Sequence, residues 1–226
     1  MIDQIIIGDK SSFDDFGASV AQRKIKMPKK KSIKETVPFS NRTYDFSAIN
    51  GEVYWEEREL EYVFEIMADT PEHLEYFKSE FAAWVAGVQG QWLHDPHIYG
   101  YHFIATYDDL DPEDDEGLDK TTITVKFTAY PYMIANAPKV YDVVLPASEQ
   151  KTTQVFNESK HPISMTIANT THITMKVGSA TTASLPASTS GTYGALKLPP
   201  GLVTIELTNS EAVDGTVRIS FYEEVF

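Results

Sequence analysis

Residues 52–67 read Glu-Val-Tyr-Trp-Glu-Glu-Arg-Glu-Leu-Glu-Tyr-Val-Phe-Glu-Ile-Met. The run predicts a long strand, because from Leu60 onward apolar and charged side chains alternate with the two-residue period of an extended chain. One face then carries Leu60, Tyr62, Phe64 and Ile66, and the other carries Glu59, Glu61, Val63 and Glu65. We expect the first face to be buried in a core and the second to meet water.

An amphipathic helix is predicted directly after this strand. Residues 69–72 read Asp-Thr-Pro-Glu, which supplies a capping residue, a proline for the first turn and an acid at the positive helix end. Apolar residues then recur at helical spacing at Leu74, Phe77, Phe81, Trp84, Val85 and Val88. Glycines at 87 and 90 mark the exit. The stripe lacks the polar groups of a cofactor site, so we predict a core-facing helix. Strands near 99–107 and 121–130 complete the pattern of an α+β domain.

Charged residues are concentrated in two windows of opposite sign. The basic window contains Arg23, Lys24, Lys26, Lys29, Lys30, Lys31 and Lys34. Pro28 limits residues 24–33 to an edge strand or an arm, and Asn50-Gly51 predicts a turn before the long strand. The acidic window, which we predict to be a loop, contains Asp108, Asp109, Asp111, Glu113, Asp114, Asp115, Glu116 and Asp119. Each run by itself fits a solvated loop, whereas opposite clusters on one chain favour contacts between subunits.

The pattern of apolar and polar residues changes around residues 131–138. From residue 141 onward no helical periodicity of useful length remains, and short apolar runs recur between Asn, Ser, Gly and Pro residues. These runs are 141–145, 152–156, 163–167, 172–177, 193–198, 202–207 and 216–222. Their spacing is typical of a small antiparallel β-sandwich. We therefore predict two domains, residues 1–135 and residues 136–226.

The composition excludes several classes of protein. With no cysteine there is no disulfide framework and no thiolate zinc site, and a net charge of −14 argues against general nucleic-acid binding. No apolar run reaches the roughly 20 residues of a membrane helix, and the N-terminus does not have the pattern of a signal peptide. We therefore expect a chain that is made and kept in solution, without a membrane partner.

No residue pattern predicts catalysis, a metal site or a cofactor. A polar cluster follows the predicted helix, and it consists of His94, Asp95, His97 and His102. Pro96 prevents the helical geometry that would bring its nearest imidazoles together. In the acidic window, Glu116 and Thr122 occupy the positions where a calcium loop requires glycine and an acid. Aromatic residues that could form a sugar-binding face are assigned mainly to core packing: Trp55, Tyr62, Trp84, Trp92, Tyr99, Tyr101 and Tyr107.

The run from residue 24 to residue 87 resembles the N-terminal domain of phage distal tail proteins (Dit), the hub proteins of long, flexible, non-contractile tails. In that family a basic extended segment with a proline leads to a loop, then to a Gly-x-x-x-Trp/Tyr-x-x-Arg-like strand and an amphipathic helix. The corresponding residues here are Pro28, 40–44, Gly51, Tyr54, Trp55, Arg58 and 69–87. The loop departs from the family's Pro-Gly-x-(Asp/Asn)-Gly pattern, because residues 37–42 read Val-Pro-Phe-Ser-Asn-Arg. Residues 198–205 and 215–222 resemble the family's final hairpin.

The resemblance implies a mainly β protein. Its N-terminal domain is expected to be α+β, with a β-sandwich or barrel-like sheet, one amphipathic helix and an extended arm. Its C-terminal domain is expected to be a galectin-like antiparallel β-sandwich. The implied role is that of a virion structural protein without enzymatic activity or cofactor, assembled in the host cytoplasm and located at the tail tip.

The family also implies a set of partners. Six copies form a ring that joins the tail tube protein to the tail-associated tip protein, the outer sandwiches carry receptor-binding or baseplate proteins, and DNA is only a passing cargo. A closed ring needs two different patches on each subunit. As intersubunit candidates we predict Lys24, Lys26, Lys29, Lys30, Lys31, Lys34, Asp108, Asp109, Asp111, Asp114 and Asp115. The basic arm is expected to lie against the adjacent protomer, whereas the acidic stretch is either its partner or faces the lumen or the tube junction.

Two other functions fit parts of the sequence. Galectin-like sandwiches can bind sugars, so a two-domain carbohydrate-binding protein is one alternative, although the C-terminal half contains no tryptophan. A tail-tube or tail-completion protein is the other, and the second sandwich favours the hub over it.

Overall fold

The structure, a computed structural model, describes residues 3–36, 38–39, 41–47, 53–114, 120–179 and 181–226. Strands account for 57% of the chain and helices for 10%, which confirms the predicted mainly β class. The chain forms two compact units. The first consists of the residues up to Met133 together with Phe226, and the second consists of Ile134–Val225. The predicted Asn50-Gly51 turn, Ser40, Gly51 and the acidic residues 115–119 lie outside the described residues.

The first unit is built on one antiparallel sheet. Its elements are β1 (Ile6–Ile7), β2 (Lys10–Ser11), α1 (Ser12–Phe16), β3 (Ser19–Ile25), β4 (Lys34–Thr36), β5 (Thr43–Asp45), β6 (Arg58–Met67), α2 (Pro71–Ala86), β7 (Gln91–His94), β8 (Tyr101–Asp114) and β9 (Lys120–Ala129). The strands of this unit lie in the order β2-β1-β7-β8-β9-β6-β3, and β4 and β5 form a separate hairpin. Strand β3 is therefore an edge of the sheet.

Strand β6 and helix α2 agree with the two strongest sequence predictions, except that the strand begins at Arg58 and not at residue 52. Leu60, Tyr62, Phe64 and Ile66 are all 0% exposed, whereas the alternate residues of β6 face outward. Helix α2 begins at Pro71, where the Thr70 hydroxyl accepts a hydrogen bond from the His73 backbone N–H at 3.2 Å. The Phe81 ring packs edge-on against Phe64 with 4.9 Å between ring centres. The helix thus covers the apolar face of the sheet, as its stripe predicts.

Two short elements have no counterpart in the sequence predictions. Helix α1 and the start of β3 at Ser19 lie in a stretch for which the sequence gives no prediction. Helix α1 is held at both ends: the Ser11 hydroxyl caps its N-terminus, and Gly17, at φ 66°, ends it in the left-handed conformation. Its Phe16 ring stacks on Trp84 of α2 at 4.8 Å. This helix is stabilised by its caps and its packing, because five residues are too few to show a helical period.

The acidic window is the main correction in this unit. Residues 108–114, predicted as part of a loop, continue strand β8 and pair with β9. Asp109 lies opposite Lys126, Asp111 opposite Thr124 and Asp114 opposite Thr121. A strand tolerates this run of acids because the partner strand offers a lysine and hydroxyls, and because the carboxylates of residues 108–114 remain exposed.

The second unit is a β-sandwich. The strands that follow β9 are β10 (Met133–Ala135), β11 (Lys139–Leu145), β12 (Gln150–Asn157), β13 (Ile163–Asn169), β14 (Ile173–Val177), β15 (Thr181–Leu185), β16 (Thr189–Leu198), β17 (Gly201–Asn209), β18 (Gly215–Phe221) and β19 (Glu224–Val225). One sheet of the sandwich has the order β11-β18-β13-β16 and the other the order β12-β17-β14-β15. The short strands β10 and β19 pair with each other and belong to neither of these sheets. Alternate residues of both sheets form the core, as in Met165, Met175 and Ile205, each 0% exposed.

Two details of the sandwich differ from the sequence predictions. Strand β15 was not predicted, because its sequence Thr-Thr-Ala-Ser-Leu contains a single large apolar residue. The predicted final hairpin is wrong, since β17 and β18 lie in different sheets. A buried asparagine ends each of β12, β13 and β17, and its amide nitrogen donates to carbonyls of neighbouring segments. Asn209 Nδ2, for example, lies 2.8 Å from Val213 O and 3.1 Å from Pro146 O.

Candidate intersubunit interface

The first part of the basic window lies on the outer face of the sheet and is neutralised within the subunit. Lys24 lies opposite Glu61, Glu61 opposite Lys126, and Lys126 opposite Asp109, so one row of alternating charge crosses four strands. The ammonium groups of Lys24 and Lys126 lie 3.3 Å from the carboxylates of Glu61 and Asp109.

A second pair extends this arrangement along β6. The ammonium group of Lys26 pairs with the Glu59 carboxylate, and this hydrogen bond holds the pKa of Glu59 below its usual range. Asp108 borders the same small depression as Lys24 and Lys26. The structure therefore brings these two lysines together with part of the acidic window, but inside one subunit.

The second part of the basic window forms an arm that follows residues 54–56 of its own chain. The Lys31 backbone N–H donates to Tyr54 O, and the Glu56 N–H donates to Lys29 O, both at 2.8 Å. Lys30 forms a β-bridge with Trp55. The side chains of Lys29, Lys30 and Lys31 all point into solvent, and none forms a salt bridge within the part of the chain that the structure describes. The backbone of the arm is thus fixed while its charge is available.

The β4–β5 hairpin continues this arm and contains Lys34, which lies opposite Asp45. All six residues of its two strands are exposed. The Ser47 hydroxyl ties the base of the hairpin to the Ile33 N–H at 2.9 Å, and hydrogen bonds from Ser47 lower the pKa of Asp45. A two-stranded hairpin without a core is marginally stable by itself. This one therefore needs contacts beyond those within its own strands.

Aromatic side chains are exposed on the hairpin. The rings of Tyr44 and Phe46 stack with 6.4 Å between centres, and both are more than one third exposed. Phe39, at the tip, is 110% exposed and has a φ of 66°. That left-handed conformation costs a bulky residue on the order of 1–3 kcal/mol. Exposed aromatic area and backbone strain thus coincide at one residue.

The acidic residues differ in how far they are paired. Asp114 accepts hydrogen bonds from the Thr121 hydroxyl at 2.8 Å and from Lys78 at 3.0 Å, which lower its pKa. Asp109 is paired with Lys126, whereas Asp108 and Asp111 are exposed and form no salt bridge among the described residues. The predicted candidate Asp115 lies outside those residues.

An aromatic shelf, which we define as Trp92, Ile104 and Tyr130, lies on the outer face of the same sheet. Trp92 is 56% exposed, lies opposite Ile104 and stacks on the buried His102 ring at 4.2 Å. The Tyr130 N–H donates to Ile104 O, and the Tyr130 side chain is also partly exposed. The assignment of Trp92 to core packing is therefore wrong. Its neighbour Leu93, which is buried, carries the apolar signal of β7, so alternation around Leu93 was the available clue.

The polar cluster after α2 has a structural role. Asp95 is fully buried, and its carboxylate accepts hydrogen bonds from Arg23 Nε at 2.9 Å and from the His97 N–H at 3.0 Å. The His97 imidazole lies 2.6 Å from Asp3, and this contact lowers the pKa of Asp3. Burial, and then the charge of Asp95, raise the pKa of Tyr62. In the described ranges no group of three or more His, Asp or Glu side chains is arranged to hold a metal ion.

Arg58, the arginine of the family-like motif, is buried in the same unit. Its guanidinium donates to Pro131 O through Nε at 2.9 Å and Nη2 at 2.6 Å, and lies over the Phe103 ring. Burial lowers its pKa.

No helix within the described residues is long and apolar enough to cross a membrane.

Comparison with known proteins gives a match at the level of fold. No protein-family model and no curated protein matches the sequence. Among solved structures, the chain is similar to the SPP1 Dit (gp 19.1) protein, presented as a paradigm of the hub adsorption apparatus in phages that infect Gram-positive bacteria. The TM-score is 0.69 at 12% identity, and the match covers 99% of both chains.

A weaker match involves the phage P2 baseplate in its activated conformation with Ca, at a TM-score of 0.43 and 9% identity over 97% of this chain and 98% of that one. The first match confirms the predicted Dit resemblance as a shared fold that spans both units.

Proposed function

We propose that this chain is a phage distal tail hub protein, which assembles into a hexameric ring at the tail tip of the virion. The observation that carries the proposal is the Dit-like fold over 99% of the chain, since both units and their order are shared. The ring joins the tail tube protein on one face to the tail-associated tip protein on the other. The second unit, a galectin-like sandwich in this proposal, projects outward and carries receptor-binding or baseplate proteins.

The first unit has the features that a ring subunit requires. A closed ring is heterologous, so each subunit must present two different patches that fit each other. The arm and hairpin supply one patch, with solvated lysines and exposed aromatic side chains. The outer sheet face supplies the aromatic shelf, and the exposed carboxylates of Asp108 and Asp111 lie farther along β8. The charge of −14 suits a ring through which DNA passes without binding.

Negative-stain microscopy and native mass spectrometry of the purified protein test this function. A six-fold ring with a central hole and a mass of six chains is the expected result. Monomers at every concentration would contradict the hub and favour the lectin-like alternative.

The arm is tested separately by charge reversal. Lys29→Glu, Lys30→Glu and Lys31→Glu together should weaken the ring most strongly at low salt, because charge contacts are screened as ionic strength rises. The matched control reverses three lysines of the second unit, Lys151, Lys160 and Lys197, and has the same net charge. Hexamers of unchanged mass and salt dependence in the arm variant would refute the arm.

A further inference from the structure

Phe39 is a large apolar residue that the described part of its own chain leaves fully exposed. The residue lies at the tip of the β4–β5 hairpin, is 110% exposed and adopts φ 66°. Bulky side chains are rare in this backbone region, and glycine or asparagine is the usual choice at such a turn. Strain held at an exposed residue points to a contact that is made outside the subunit.

The sheet of the same unit offers a surface that complements this tip. Trp92 of the aromatic shelf is half-exposed, because it lies on the outer face of the sheet, opposite the core. Along β8, this face continues from Ile104 to Thr106, and after a register shift between Tyr107 and Asp109 it includes Asp109 and Asp111, opposite Lys126 and Thr124 of β9. The exposed Asp108 lies at this irregularity and borders the depression that Lys24 and Lys26 line. An apolar ring could therefore contact the shelf while cations beside it meet the exposed carboxylates of Asp108 and Asp111.

The hairpin has the matching order of groups. Its aromatic tip is preceded in the chain by Lys29, Lys30 and Lys31, whose side chains are solvated and form no salt bridge in the described ranges. Two hairpins cannot pair with each other without bringing these lysines together, and two acidic faces repel in the same way. Charge therefore favours contact between the basic arm beside the hairpin and the exposed carboxylates of Asp108 and Asp111 near the aromatic shelf.

We propose that the hairpin of one subunit docks on a second copy of this chain, with Phe39 as an anchor on the aromatic shelf and the arm lysines beside Asp108 and Asp111. The proposal rests on the proposed ring and names the two surfaces that close it. Aromatic anchors seated on aromatic surfaces are the contacts that most often dominate an interface. Because the two patches differ, each copy gives its hairpin to one neighbour and receives a hairpin from the other.

The absence of cysteine makes a cross-linking test direct. The full chain is prepared with Phe39→Cys and Trp92→Cys together, and with Phe39→Cys and Tyr130→Cys as a second variant in case loss of Trp92 impairs folding. Mild oxidation should give a ladder of covalent oligomers up to six chains, because a disulfide forms only across a Cα separation of about 4.4–6.8 Å. Phe39→Cys with Tyr76→Cys is the control, since Tyr76 is 62% exposed on α2, away from the shelf.

A second measurement does not depend on disulfide geometry. Phe39→Ser should raise the concentration needed for ring formation by about tenfold or more, as expected for an interface anchor. Tyr76→Ser, which removes a similar exposed ring, should leave it unchanged. Rings that form as in the wild type in the Phe39→Ser variant, with no ladder in either double-cysteine variant, would overturn the docking and leave the hub intact. A wild-type chain that stays monomeric would overturn both.

Discussion

Gly215, the first residue of β18, has no room for a side chain. A Cβ atom there would lie 2.1 Å from the Thr171 hydroxyl oxygen and 2.8 Å from its methyl group, and both residues are buried. Ordinary contacts are about 3.4–4.0 Å, so Gly215→Ala forces a displacement of more than 1 Å in a packed core. Overpacking of this kind costs about 1–3 kcal/mol, and we expect a value near the upper end.

Removal of the Thr171 side-chain atoms should restore most of the lost free energy of unfolding. Thr171→Ala deletes both clashing atoms, and the deleted hydroxyl has no hydrogen-bond partner among the described residues. The Thr171 Cβ would remain 3.0 Å away, so recovery is incomplete. The double variant should therefore be about 2 kcal/mol more stable than the sum of the single effects predicts.

Urea unfolding of the second unit measures this coupling. All three tryptophans lie in the first unit, so hydrogen exchange in peptides of β11 to β18 reports the sandwich while tryptophan fluorescence serves as the internal reference. Gly194→Ala is the control, because a Cβ there meets nothing within 4 Å. A Gly215→Ala variant as stable as the wild type, or single effects that simply add, would refute the steric argument.

Two further predictions concern polar contacts of the sandwich. Asn209→Ala leaves the carbonyls of Val213 and Pro146 without their donor, so we expect a loss of about 2–3 kcal/mol in urea unfolding, and a loss below 0.5 kcal/mol would contradict it. Arg218 holds the pKa of Asp142 below its usual range through two hydrogen bonds, of 2.7 and 2.9 Å. A lowered pKa means that the pair stabilises the fold above the unfolded value of about 3.9 and stops doing so as the pH falls through the folded value. NMR titration should show the Asp142 pKa return toward normal in Arg218→Gln, and an unchanged pKa would refute the assignment.

The elements predicted well from sequence are those whose pattern lies within a single segment. Strand β6 alternates from Leu60 to Ile66 with Val63 as the one exception, and α2 carries both its cap and its stripe, so each can be recognised without knowledge of its neighbours. The strands of the sandwich are found for the same reason, apart from β15. Helix α1 could not be predicted, because it depends on Ser11, Gly17 and contacts with α2, none of which gives a periodic signal in the sequence.

The candidate interface could be predicted only in part. The density of lysine in the arm is visible in the sequence, but the pairing of Lys24 with Glu61 depends on strand register across 37 positions of the chain. The extension of β8 through Asp111 depends on the hydroxyls and lysine of β9, which lie opposite it only in the fold. Exposure of Trp92 is likewise set by the position of β7 in the sheet. Local composition thus located the charges, whereas pairing decided which of them are free.

The exposed hairpin also affects how free copies of this chain meet in solution. Exposed aromatic segments promote aggregation, and charged flanking residues act as gatekeepers against it. Lys29, Lys30 and Lys31 give every copy the same positive charge beside its hairpin. Two hairpins that approach each other therefore repel within the screening distance of about 8 Å at physiological salt. We therefore expect free copies of the chain not to associate hairpin to hairpin at physiological salt, and to do so more readily in concentrated salt, which screens the repulsion.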